Sequence, residues 1–234
     1  MKIKIIIFFL ILSLINFNAF SSECVVLLHG YTKSNKAMQK IEKELLEEGY
    51  IVQNISYPST KHSIETLDIE YLSPQIDNSR CAKINFIGHS MGGLLIRQHL
   101  SRVHYNNLGY VMFITSPHNG SEIVSFLSSH NALKWLLVGP AVKQLAPESK
   151  FLQNLSKPHY PFGIITADKD VNPLLSLFLM NSQNDGLVTI SSMVLSGAKE
   201  IINFNTSHNK ILQDNRVVGQ IKHFLKTGKF LKTK

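Results

Sequence analysis

Apolar runs of strand length alternate with amphipathic stretches along most of this chain, the pattern of an α/β protein built on a parallel sheet. Residues 25–28 (Val-Val-Leu-Leu) form the first run. Ser34 can cap a helix whose apolar positions Ala37, Met38, Ile41, Leu45 and Leu46 follow helical spacing, and Gly49 stops it. Residues 50–57 predict a second strand ended by Pro58, and residues 63–78 a helical segment. Residues 83–87 read as a third strand and 91–103 as a helix. Strands follow at 110–115, 162–167 and 200–204. From Lys210 to Lys226 the positions Ile211, Leu212, Val217, Val218, Ile221, Phe224 and Leu225 predict a closing helix.

Residues 121–160 depart from this rhythm. Leu133, Trp135, Leu136, Leu137 and Val138 make an apolar patch before Gly139-Pro140, and Leu174, Leu175, Leu177, Phe178, Leu179 and Met180 make another. Packing on the sheet is one reading of these patches. A lid or an acyl pocket is the other, since an ester with an apolar tail needs an apolar wall.

The chain of 234 residues suffices for one domain with a full core and leaves little room for a second. Its start is different in kind. A basic head (Lys2, Lys4), an apolar run over residues 5–15 and small residues at Ala19 and Ser21 predict a secretory signal peptide cleaved after Ser21. This run of eleven residues, broken only by Ser13, falls short of the roughly twenty that cross a bilayer, which disfavours an anchor. Residues 22–234 are then a single domain, with 121–160 as a candidate lid or cap, and the mature protein is expected in the periplasm or the medium. Cleavage leaves 22 basic against 16 acidic residues, a net charge of about +6. Lys222, Lys226, Lys229, Lys232 and Lys234 gather at the tail. A solvated basic surface accounts for that cluster, and peripheral attraction to an anionic membrane is the sharper alternative. No basic-aromatic motif or zinc-finger spacing points to nucleic acid. Cys24 and Cys81 both fall near the amino edge of the expected sheet, where an oxidising compartment would allow a disulfide. Two unpaired cysteines remain the alternative.

The chemistry gathers at Gly88-His89-Ser90-Met91-Gly92. Strand before and helix after put this G-x-S-x-G on a sharp elbow, with the serine hydroxyl exposed at the carboxyl edge of the sheet. A serine hydroxyl needs a base and a group to orient that base. On such a sheet the partners follow in the order serine, acid, histidine. His208, in the loop after the last strand, is the candidate base, and His223 falls inside the closing helix. Asp168, Asp170 and Asp185 all lie between Ser90 and His208, and spacing alone does not choose among them. Two backbone N–H groups, those of Met91 and Tyr31, are the candidate oxyanion donors. His29, beside Tyr31, reads as a loop residue and a candidate substrate contact, as does Trp135 in the apolar patch.

Taken together, Val26-Leu27-Leu28-His29-Gly30-Tyr31, Phe86-Ile87-Gly88-His89-Ser90-Met91-Gly92-Gly93, Thr115-Ser116-Pro117-His118-Asn119-Gly120-Ser121, Asn184-Asp185-Gly186-Leu187-Val188 and His208 resemble the α/β-hydrolase superfamily. Within it the chain is similar to small bacterial lipase-like and esterase-like (triacylglycerol-lipase-like) members. The resemblance implies a minimal sheet of about six mostly parallel strands with helices on both faces. It also implies that Asp185 is the triad acid and that His118 lines the site. It calls for no cofactor and no metal, and nothing in the sequence makes a calcium site. The activity it implies is hydrolysis of carboxylic esters, lipid or lipid-like, by an exported serine enzyme through an acyl-enzyme. An acyltransferase would use the same acyl-enzyme. A non-catalytic binding protein on a hydrolase scaffold would be expected to lack one of these residues.

Overall fold

The computed structural model describes residues 23–130, 139–171 and 182–232. The segment expected to be a signal peptide, the patch containing Trp135 and the patch 174–180 lie outside them. Six strands form one sheet: β1 (Glu23–Leu28), β2 (Ile51–Ile55), β3 (Lys83–His89), β4 (Leu108–Ile114), β5 (Phe162–Ala167) and β6 (Glu200–Phe204). They run in the order β2-β1-β3-β4-β5-β6, and every pairing is parallel. The expectation of a minimal six-stranded parallel sheet holds.

A sheet covered on both faces needs apolar residues at every position of its inner strands. Alternate side chains of β1 show the consequence. Val26 and Leu28 join one core with Phe86, Val111, Phe113 and Ile164, while Val25 and Leu27 join a second core with Ile87, Met112, Ile114 and Ile165. Helix α2 (Met91–Arg102) covers the first core with Leu94, Leu95 and Ile96. Helices α1 (Gln39–Glu47) and α4 (Asn215–Thr227) cover the second with Ile41, Leu45, Val217, Ile221 and Phe224. Between α2 and α4 in sequence, helix α3 (Glu122–His130) begins the segment expected to be irregular, and two one-turn helices, Pro140–Lys143 and Lys150–Asn154, continue it.

Several boundaries differ from the expectation, each for a local reason. Ser34 has the extended backbone of a cap, but its side chain caps nothing, and the chain first makes a 3-10 turn over Asn35–Met38. Leu46 is exposed, so its place in the apolar stripe of α1 does not hold. The segment at 63–78 starts as α-helix, widens to a π-helix over Leu67–Leu72 and ends in a 3-10 turn containing Pro74. The closing helix is two pieces, because the Asp214 side chain accepts the Arg216 N–H and restarts the helix after a 3-10 turn at Lys210–Gln213. Charge on α4 is also partly spent. Lys222 pairs with Glu44 and Glu48, and Lys226 with Glu48, which pins α4 to α1 and reduces the free basic cluster at the tail.

Cys24, in β1, and Cys81, in the turn before β3, form a disulfide with Cα atoms 5.4 Å apart. Parallel pairing of Cys24 with Ile84 brings the two cysteines to the same amino edge. Among the described residues no helix is long and apolar enough to cross a membrane.

Candidate active site

The winding of the sheet chooses where a site can open. β1 leads outward to β2, and the chain returns to place β3 on the other side of β1. Loops leaving β1 and β3 therefore run in opposite directions and leave a crevice at their carboxyl ends. His29-Gly30-Tyr31 leaves β1 there and Ser90 leaves β3 there.

Ser90 has φ 54° and ψ −127°, a conformation that costs a non-glycine residue about 1–3 kcal/mol. The flanking glycines let the elbow form. A Cβ on Gly88 would lie 2.6 Å from the Gly92 carbonyl carbon, and one on Gly92 would lie 2.5 Å from the Leu28 oxygen. Met91 opens α2, so its N–H has no acceptor within the helix and stands at the positive end of the helix dipole. The loop after β1 passes against the serine. A Cβ on Gly30 would sit 2.9 Å from the Ser90 Cβ, which places the backbone that carries the Tyr31 N–H beside the nucleophile candidate.

The order of the chain is matched by contact between the base and acid candidates. His208 Nδ1–H donates to Asp185 Oδ2 at 2.6 Å, and the His208 backbone N–H donates to the Asp185 carbonyl at 3.1 Å. The other carboxylate oxygen, Oδ1, accepts the N–H groups of Leu187 (3.0 Å) and Val188 (2.8 Å). Gly186, at φ +97°, makes the turn that delivers those two donors. Both groups are buried, Asp185 completely. With Nδ1 spent on the carboxylate, Nε2 is the nitrogen left to serve a hydroxyl. Asp168 is engaged elsewhere, accepting from Gln183, Asn203 and Asn205 at the surface. His223 lies within α4.

Ser90 and His208 line one cavity of about 220 Å³. Gly30, Tyr31 and Lys33 form one side of it, and Ile123, Val124, Val142, Leu145, Leu187 and Val188 give it an apolar wall. Among the described residues no group of histidine, cysteine or carboxylate side chains could hold a metal ion.

Two expected substrate contacts do not face this cavity. His29 is fully buried and stacks on Tyr57 with ring centroids 4.1 Å apart. Its Nδ1–H donates to the Gly30 carbonyl at 2.8 Å, and the Tyr57 hydroxyl donates to the His29 carbonyl. His29 is thus a strut beneath the loop that carries Tyr31. His118 is also buried, edge-on to Phe113 at 4.5 Å, and neither of its ring nitrogens has a partner. Its apolar setting explains the departure, because the ring is turned into the core while Pro117 and Ser121 on either side line the cavity. Trp135 lies outside the described residues.

His89 is the site residue that sequence reasoning passed over. Its Nε2–H donates to the His208 carbonyl at 2.9 Å, so the elbow itself holds the loop of the base candidate. Burial, followed by the charge of His208, pushes the His89 imidazole down to about 3, which keeps it neutral. A histidine inside the pentapeptide was the available signal, but its acceptor is 119 residues away in sequence.

His118 gives a testable consequence. Burial holds its imidazole well below the usual value, so the unfolded chain takes up a proton first as pH falls. Stability then declines below about pH 6.5, by up to about 1.4 kcal/mol per pH unit from this group. His118→Phe keeps the contact with Phe113 and removes two unpaired ring nitrogens. Urea unfolding between pH 7 and pH 5 is expected to show a shallower decline in this variant than in the parent. Parallel pH profiles would refute the assignment of acid sensitivity to His118.

Comparisons with known proteins bear on the family and the fold. A family model described as palmitoyl protein thioesterase matches residues 24–161. No curated protein matches the sequence. Among solved structures, the mature form of a Bacillus licheniformis lipase is similar over 88% of this chain and 92% of its own, at 18% identity and a TM-score of 0.70. A Pyrococcus furiosus esterase aligns over 89% of this chain and 83% of its own, at 20% identity and a TM-score of 0.61. A Listeria innocua protein aligns over 91% and 96%, at 15% identity and a TM-score of 0.58. At such identities the likeness speaks for the fold.

Proposed function

Because the chain belongs to the palmitoyl protein thioesterase family, we propose that this carboxylic ester hydrolase cleaves acyl esters and thioesters through an acyl-enzyme on Ser90. The observation that carries the reading is the hydrogen-bonded pair of His208 and Asp185 opening on the same cavity as a serine held at a strained elbow. Ser90 Oγ attacks the substrate carbonyl while His208 Nε2 takes its proton. Asp185 fixes the imidazole in the tautomer that leaves Nε2 free to do so. The N–H groups of Met91 and Tyr31 receive the oxyanion, where two such donors act on charge that develops only in the transition state. His208 then returns the proton to the departing alcohol or thiol, and water, activated by the same base, releases the acid.

The apolar wall supports an acyl group as the part of the substrate that enters the cavity. Each further buried CH₂ is worth about 0.8 kcal/mol, or roughly four-fold in kcat/KM while the wall is being filled. A series of p-nitrophenyl esters and acyl thioesters of rising chain length, together with labelling of Ser90 by a fluorophosphonate, tests the proposal. The expected result is a stepwise rise in kcat/KM with chain length and stoichiometric labelling. A flat profile would remove the acyl-pocket assignment, and absence of labelling would remove the acyl-enzyme.

We place this activity outside the cytosol, after cleavage following Ser21. The Cys24–Cys81 disulfide supports an oxidising setting. Recovery of the active enzyme from its source cells as an uncleaved, reduced cytosolic form would contradict that placement.

A further inference from the structure

A second cavity lies at the amino edge of the sheet, opposite the edge that carries Ser90. The loop from α2 to β4 and the segment leading into β5 enclose about 580 Å³. That is within the range of about 300–1,000 Å³ typical of small-molecule sites. Arg97, Lys157, His104 and His159 stand on its walls beside Tyr105 and Tyr160, and no aspartate or glutamate is among the lining residues.

Arg97 is the member that calls for an explanation. It lies in the middle of α2 and is 5% exposed. Its Nη atoms donate to the carbonyls of His118 (3.5 Å), Leu155 (3.2 Å) and Ser156 (3.1 Å), and its Nε has no partner. Carbonyls satisfy N–H groups but do not cancel a charge. Among the described residues no carboxylate pairs with Arg97, and an uncompensated buried cation is unfavourable. Asp68 cannot serve. It is bound by Arg102 at 2.6 Å and by His99 at 2.7 Å, and the other nitrogen of His99 holds the Tyr105 hydroxyl at 2.8 Å. That chain fixes Tyr105 as a wall of the cavity and leaves the Arg97 charge unmatched.

We propose that this cleft binds a phosphate group, with Arg97 at its buried wall and Lys157, His104 and His159 at its mouth. One buried, hydrogen-bonded cation, one exposed cation and two imidazoles around one volume suit an oxyanion that carries more than one charge and several acceptor atoms. The same chemistry would come from a free phosphorylated molecule or from a phospholipid head group. The site lies on the opposite edge from the ester-cleaving cavity and does not depend on the reaction assigned there.

The test uses the mature chain. Isothermal titration with inorganic pyrophosphate at low ionic strength is expected to show saturable binding, weakened at least about ten-fold by Lys157→Glu. The double variant His104→Ala/His159→Ala is expected to weaken it as well. Ester hydrolysis should remain at the parent rate in both, and Lys229→Glu, a charge reversal on the tail, should leave binding intact. Co-sedimentation with phosphatidylglycerol vesicles that Lys157→Glu abolishes would assign the group to a lipid. Pyrophosphate binding without vesicle binding would assign it to a soluble ligand. Absence of saturable binding to either probe would overturn the proposal. So would an equal loss in Lys229→Glu, which would reduce the effect to overall charge.

Discussion

Ser90→Ala is expected to lower kcat/KM for a p-nitrophenyl ester by about 10⁶-fold, the scale of loss when the nucleophile of a serine-histidine-acid set is removed. The fold should survive. Alanine keeps the Cβ, so the elbow retains its φ of 54° and its contacts with the glycines around it. The hydroxyl reaches into a cavity and supports no packing, so the melting temperature should stay within about 2 °C of the parent, as for a substitution that removes no core contact. The fluorophosphonate label should vanish at the same time. Three outcomes together identify a nucleophile: activity lost, label lost and stability kept. Residual hydrolysis at more than about one hundredth of the parent rate would exceed what the oxyanion donors and binding alone can supply, and Ser90 would have to be abandoned.

The parts of this site that could be read from the sequence are those set by local pattern. The elbow needed only Gly88, Gly92 and the change from a strand run to a helix run around Ser90. β5 and β6 were bounded by their apolar runs alone, and the order serine, acid, histidine left His208 as the histidine in a loop at the carboxyl edge. What stayed open depended on contacts distant in sequence. Spacing alone leaves Asp168, Asp170 and Asp185 open, the family resemblance points to Asp185, and the contact that joins it to His208, 2.6 Å from Oδ2, spans different loops. The bond from His89 to the His208 carbonyl, the stacking of His29 on Tyr57 and the burial of His118 against Phe113 all join residues from different elements. A histidine in a motif looks the same in sequence whether it turns to the cavity or to the core. The restart of the last helix was missed for a different reason. Periodicity runs unbroken through Asp214, whose capping role competes with it and wins.

Removing the Cys24–Cys81 bond should act on stability as selectively as Ser90→Ala acts on rate. The cysteines are 57 residues apart, and the loop they close contains α1, β2 and the π-helical segment. Opening a loop of that length frees chain entropy in the unfolded state worth about 4 kcal/mol. Against a typical total of about 5–15 kcal/mol this is a large share, and for a domain of this size it corresponds to a fall of about 8–16 °C in melting temperature. Cys24→Ala, Cys81→Ala and the double variant should fall by similar amounts, since any of them opens the same loop. Reduction of the parent protein with a phosphine should reproduce the effect without any change of side chain. Activity below the transition should persist, because the bond closes the amino edge of β1 and β3 while Ser90 and Tyr31 leave the carboxyl ends of the same strands. A drop of less than about 3 °C on reduction would mean that the unfolded chain is already constrained across residues 24–81. A parallel loss of activity in the cold would mean instead that the two ends of these strands are mechanically coupled.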